Sequence, residues 1–174
     1  MNQTKNDMDG AYRDLILCLS NETRLYGELN RLLKQKQSNI INGDVESLQE
    51  TVHEEQRLIP KIRTATQARE LRAATIGVVS KLRKKTPSLK ELIDLSPSHY
   101  SQQLIEFREQ LILSLDRIAH ANRENEFLLN SSVDLVRGLV QVLLGREENE
   151  NVHYGGMGKI TDDRSNTSQV DCQV

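Results

Sequence analysis

The stretch SPSHYSQQLIEFREQLILSLDRIAHANRENEFLLNSSVDLVRGLVQVLLG, residues 96–145, decides the fold of this chain. Ser96 belongs to the residue types that cap helices, and Pro97 suits the first helical position. From residue 98 to 144 there is no proline and the only glycine is Gly138, so we expect one helix of about 47 residues, roughly 70 Å long. Its apolar residues recur three and four positions apart: Leu104, Phe107, Leu111, Leu115, Ile118, Ala121, Asn125 (polar, on the same stripe), Leu128, Leu135, Leu139 and Val142.

A helix of this length needs partners, because helices in proteins gain most of their stability by packing an apolar face. The spacing of its apolar residues is typical of a coiled-coil-like seam. A first helix is indicated by Tyr12, Leu19, Tyr26, Leu33 and Ile40, which are seven residues apart. Such helices predict an all-α fold, namely an elongated antiparallel bundle of three long helices with a short connecting helix and a disordered C-terminal tail.

The turn after the first helix is predicted at Asn42-Gly43, with Asp44 capping the second helix. Pro60 lies inside the second helix and predicts a kink near Glu55 to Ile59. The predicted boundaries are about 10–41, 44–84, 88–94 and 97–145 for the helices, 10–145 for one domain, 1–9 for a disordered N-terminus and 146–174 for a flexible tail.

The composition restricts the class of protein. With 3% aromatic residues and no Trp in 174 residues, the core is expected to be thin and aliphatic. A net charge of −2 with 28% charged residues shows no bias toward nucleic acid or anionic membranes. Two distant cysteines, a polar N-terminus and the lack of an uninterrupted apolar run of about 18 residues predict a cytoplasmic protein that does not insert stably into a membrane.

No catalytic or metal-binding pattern is recognised. His53-Glu54-Glu55 would need a second histidine at position 57, where Arg57 stands. We therefore expect a non-enzyme without cofactors or metals. The basic residues between Lys81 and Lys85 complement the dipole at a helix end, and a nucleic-acid interface there is the weaker alternative.

The last part of the long helix is apolar on more than one side. Such an exposed patch would mark a partner site, whereas the alternative is ordinary bundle core or a homodimer contact. The residues concerned are Val133, Leu135, Val136, Leu139, Val140, Val142, Leu143 and Leu144.

Several short motifs resemble those of the FlgN-type flagellar export chaperones. The most specific is Asn122-x-x-Asn125 followed by Leu128-Leu129, and a Tyr154-Gly155 element follows downstream. Others are Glu22 with Tyr26, the turn at Ile40 to Asp44, the Glu54 to Leu58 segment and Arg69. Asn125 also has a purely structural interpretation, because a polar residue in a seam can fix helix register at some loss of stability.

The resemblance implies a cytoplasmic chaperone that holds the hook-filament junction proteins FlgK and FlgL, whose helical termini would otherwise self-associate, before type III export. It implies that Tyr154 and Gly155 dock on the export gate FlhA. A client helix would lie on the C-terminal half of the long helix, on Leu128, Leu129, Val133, Val136, Leu139, Val140 and Leu143. The alternative is a structural coiled-coil adaptor that homodimerises through the same face.

Overall fold

The computed structural model describes the backbone of residues 2–82 and 86–149, and the side chains of residues 8–82 and 86–145. This part of the chain is all-helical and contains no strand, which confirms the predicted all-α class. The helices are α1 (Asn2–Asn42), α2 (Val45–Val79), α3 (Leu89–Leu95) and α4 (Ser98–Asn149).

The chain divides into two compact units, Met1–Val133 and Asp134–Val174. The first contains α1, α2, α3 and most of α4. The described part of the second is the last portion of α4, from Asp134 to Asn149.

The α1–α2 turn forms as predicted. Gly43 has a φ of 67°, the left-handed conformation that glycine adopts without steric cost. Its N–H donates to the Ile40 carbonyl at 3.1 Å and closes α1. Asp44 caps α2 by accepting from the Ser47 backbone N–H at 3.0 Å, and hydrogen bonds from Ser47, first from its side chain, hold the pKa of the Asp44 carboxyl below its usual value.

The α3 helix starts at a reciprocal capping box. The Ser88 hydroxyl accepts from the Glu91 N–H at 3.3 Å, and the Glu91 carboxylate accepts from the Ser88 N–H at 2.7 Å. Ser88 is thus the N-cap of α3. Ser96, expected to cap α4, instead donates from its hydroxyl to the Ile93 carbonyl at 2.8 Å and ends α3, so α4 begins only at Ser98.

Two apolar clusters form the core of the first unit, and α1, α2 and α4 contribute to both. The first is held together by Tyr12, Leu15, Ile16, Leu19, Ala73, Ile76, Leu92, Leu104 and Leu111. The second consists of Leu25, Leu29, Leu32, Leu33, Leu58 and Ala65, with Ile62, Ile118 and Ala121 packed against it. The phenol of Tyr12 donates to the Leu92 carbonyl at 3.1 Å, and burial raises its pKa.

Polar contacts show how α1 and α2 align. The buried Glu22 carboxylate accepts from the Arg69 Nε and from the Thr66 hydroxyl, both at 2.7 Å. Farther along α1, Lys36 pairs with Glu55, also at 2.7 Å. As the residue number increases along α1, the residue number of the contacting residue on α2 decreases. The two helices are therefore antiparallel.

The α4 helix runs parallel to α1. Tyr12 stacks on Tyr100 with ring centroids 5.9 Å apart, and the Asn125 Nδ2 donates to the Leu33 carbonyl at 2.9 Å. Near the same position, Gln37 donates to the Glu124 carboxylate at 3.2 Å. Residue numbers therefore increase in the same direction along both helices.

Three helix boundaries differ from the predictions by four residues or more, and one of them is the end of α4, which lies at Asn149 and not near residue 145. The α1 helix begins at Asn2 and not near residue 10. Within this additional part of the helix, the Asp9 carboxylate contacts His99 at 3.1 Å and Arg13 at 3.4 Å. The α2 helix ends at Val79 and not near residue 84, because Lys81 takes a φ of 56° that a right-handed helix cannot continue. The helix continues through Pro60, and the kink beside it stays a prediction.

The Glu22 pair generates a stability prediction. Replacing Arg69 with Met leaves a buried carboxylate without its cation, which should lower the free energy of unfolding by about 3 kcal/mol. Urea unfolding followed by circular dichroism measures this. The matched control is Arg24→Met, which breaks an exposed pair with Glu28 and should change stability by less than about 0.5 kcal/mol. Equal effects of the two substitutions would contradict the assignment.

Candidate protein-binding surface

The apolar seam of α4 follows a heptad pattern, with core positions a and d alternating three and four residues apart. In the first half of the helix every one of these positions is buried or half-buried: Leu104, Phe107, Leu111, Ser114, Ile118, Ala121, Asn125 and Leu128. Leu115, which we expected on this stripe, is 47% exposed because it lies one residue beyond the d position. We call the a and d positions of α4, from Leu104 to Val142, the α4 seam.

Beyond Leu128 the α4 seam is exposed at each position up to Val142. The pattern continues without interruption through Ser132, Leu135, Leu139 and Val142, and all four residues are exposed. The exposed fraction reaches 66% at Leu135 and 62% at Val142. The sequence therefore maintains a coiled-coil seam over residues that have no partner in the described part of the chain.

The residues predicted to bind a client lie in both units. Leu128, Leu129 and Val133 belong to the first unit, and Leu128 is the only half-buried one. The others belong to the second unit and are all exposed: Val136, Leu139, Val140 and Leu143.

Within the second unit, α4 carries an unusually wide apolar surface. At 100° per residue, Leu135, Val136, Leu139, Val140, Val142, Leu143 and Leu144 cover an arc of about 200°. We call these seven residues the apolar arc. The opposite face carries Asp134, Arg137 and Gln141, with Asp134 and Arg137 paired at 3.7 Å.

The two asparagines of the family motif lie in different environments. Asn122 is exposed, whereas Asn125 is buried at an a position and donates to the Leu33 carbonyl. The Oδ1 of Asn125 is buried without a hydrogen-bond partner. This geometry supports the structural interpretation of Asn125, because its amide bonds best in one alignment of α1 and α4.

Two open grooves lie beside this part of α4 in the first unit. One, of about 440 Å³, is lined by Ile41, Phe127 and Leu128 together with polar side chains that include Arg123 and Glu124. The other, of about 590 Å³, is lined by Leu48, Val52 and Leu129 and by three polar residues of α1 and α2.

The sequence analysis did not propose Phe127 or Ile41 as binding residues, although they are 70% and 66% exposed. The available signal was their position off the heptad core, because a large apolar residue at an outer position has no place in the bundle interior.

By length and composition alone, the apolar part of α4 within Ser98–Gly145 could cross a membrane, and the most apolar part of it is not buried. The prediction from uninterrupted apolar runs did not identify it, because Asp134 and Arg137 interrupt the sequence there. These two charges argue against a spanning role.

The remaining predicted site residues, Tyr154 and Gly155, lie outside the described residues. Among the residues that the structure describes, no group of three or more His, Cys, Asp or Glu side chains is arranged to hold a metal ion.

An all-helical domain with an exposed apolar helix face defines a class of helical proteins that bind other proteins. The family model described as FlgN protein matches residues 8–162. Since this match covers most of the 174 residues, the chain belongs to the FlgN family, a family of chaperones in flagellar biogenesis. No curated protein and no solved structure shows significant similarity to it.

The environment of Asn125 generates a second prediction. Replacing it with Leu removes a buried acceptor that lacks a partner and adds apolar surface at an a position, so the free energy of unfolding should rise by about 1 kcal/mol. Asn122→Leu, at an exposed position, should leave it within about 0.5 kcal/mol. Urea midpoints of both variants test this, and a large loss of stability in Asn125→Leu would show that the fold requires the amide.

Proposed function

We propose that this protein is a cytoplasmic flagellar type III export chaperone that holds the hook-filament junction proteins FlgK and FlgL before secretion. Its family supports the chaperone role. The observation that carries the proposal is the α4 seam, whose positions from Ser132 to Val142 are all exposed. In this proposal α1, α2 and α4 form an elongated antiparallel bundle of three long helices, and α4 provides the binding surface.

The proposed contact places an amphipathic client helix on α4, along Leu128, Leu129, Val133, Val136, Leu139, Val140 and Leu143. Full burial of one Val or Leu side chain contributes about 1.5–3 kcal/mol. Association costs about 4–15 kcal/mol before any contact is made. Because these residues are already partly buried, covering them contributes an amount comparable to this cost, and the apolar face of the client helix adds a similar contribution, which suits a reversible complex.

A double substitution at the centre of this surface tests the proposal. Val136→Asp with Leu139→Asp would place two carboxylates against the client, which should weaken binding at least about 100-fold. Isothermal titration calorimetry with purified FlgK or FlgL measures the affinity.

The matched control is Asn130→Asp with Gln141→Asp, which adds the same charge on the opposite face of α4 and should change affinity less than about threefold. Because all four positions are exposed, helicity by circular dichroism should be unchanged in both variants. Unimpaired capture by the Val136, Leu139 variant would place the client elsewhere.

We also propose that Tyr154 and Gly155 dock on the export gate FlhA once a client is loaded. Tyr154→Ala should then lower the affinity of the client complex for FlhA at least about tenfold, because aromatic residues dominate small interfaces. The affinity for FlgK, measured on the same sample, should not change. Loss of FlgK binding, or full retention of FlhA binding, would contradict this role.

The second candidate is a coiled-coil adaptor that homodimerises through the α4 seam, which the intact heptad spacing beyond Leu128 favours. Sedimentation equilibrium distinguishes the two functions. A chaperone forms a mixed complex with the junction protein, whereas an adaptor forms a dimer whose mass does not respond to the client.

A further inference from the structure

The apolar arc is wider than one helix can cover. A helix that packs on one partner buries a stripe of about 100°, and a two-stranded coiled coil uses only two of seven positions. Between residues 139 and 145, five of seven residues are apolar, and only Gln141 and Gly145 are not. A helix with so large an apolar fraction is normally enclosed by more than one neighbour.

The first unit shows how the chain covers a narrower stripe. There α4 shares both apolar clusters with α1 and with α2. Its buried and half-buried seam positions, from Leu104 to Leu128, span an arc of only about 120°. Since two helices contribute to covering about 120° in the first unit, an arc of about 200° requires at least two helices as well.

We infer that the client presents two helices to the apolar arc and that these helices lie on its opposite sides. This inference rests on the proposed function. The arc has a central row, Val136, Leu139 and Leu143, between a first flank formed by Leu135 and Val142 and a second flank formed by Val140 and Leu144. Each client helix covers one flank and shares the central row.

A second copy of this chain does not satisfy the same requirement. Pairing of two α4 helices places one helix on each arc and leaves one flank of each copy in water. A lipid surface is also a poor match, because interfacial helices carry an excess of Lys and Arg on the polar face. Here that face has Arg137 paired with Asp134.

The experiment compares the two flanks. Leu135→Ser with Val142→Ser removes the first flank, and Val140→Ser with Leu144→Ser removes the second. Asn130→Ser with Gln141→Ser is the control on the polar face. All six positions are exposed, so the melting temperature of each variant should match that of the unmodified chain.

With purified FlgK in isothermal titration calorimetry, each flank variant should bind at least about tenfold more weakly, and the control should stay within about twofold. Sedimentation equilibrium should give a complex of one chaperone with one client. A flank variant with unchanged affinity would overturn the inference and leave a single client helix.

Two other results would also overturn the inference. A complex that contains two copies of this chain would assign one flank to the second copy. Cosedimentation of the unmodified chain with phosphatidylcholine and phosphatidylglycerol vesicles, lost in both flank variants, would assign the arc to lipid. Failure of the proposed function is recognised separately, because the Val136, Leu139 variant would then retain full affinity for the client.

Discussion

The alignment of the first unit depends on the buried carboxylate of Glu22. Its side chain is 2% exposed and lies at a heptad core position of α1, where an unpaired charge would be costly. Only one alignment of α2 brings the Arg69 Nε and the Thr66 hydroxyl to its two oxygens. A shift of α2 by one turn would keep apolar packing but would leave the carboxylate without partners. The pair therefore contributes specificity more than net stability.

Other polar groups in the helix interfaces act in the same way. Lys36 occupies a heptad core position of α1 and pairs with Glu55, while Asn125 bonds the Leu33 carbonyl from α4. The α4 seam consequently meets α1 in one register. Since α1 ends at Asn42, shortly after Gln37 contacts Glu124, α1 can cover the seam for only about one more turn. The exposure of Ser132, the next α4 seam position in the first unit, is thus a consequence of helix length and register together.

Much of this structure could be predicted from the sequence. The Gly43 turn and the Asp44 cap are local signals, and both are confirmed. The role of Ser96 was mistaken, because its hydroxyl bonds the Ile93 carbonyl and ends α3. The burial of Glu22 could not be derived from spacing, since it depends on where Arg69 lies in three dimensions. The wide apolar end of α4 was visible in the sequence, whereas its exposure could be read only from the structure.

The exposed end of α4 has little effect on folding, because both apolar clusters that form the core lie in the first unit. Selection on the apolar arc can therefore act on binding without a matching loss of stability. The same arrangement has a cost for solubility, since exposed apolar surface promotes association. In the proposed function, a client that covers the surface removes this cost and has its own apolar helices covered in return. The proposed contact thus covers two exposed apolar surfaces at once, and because neither surface is needed for the folding of the first unit, the partner can be held and still released.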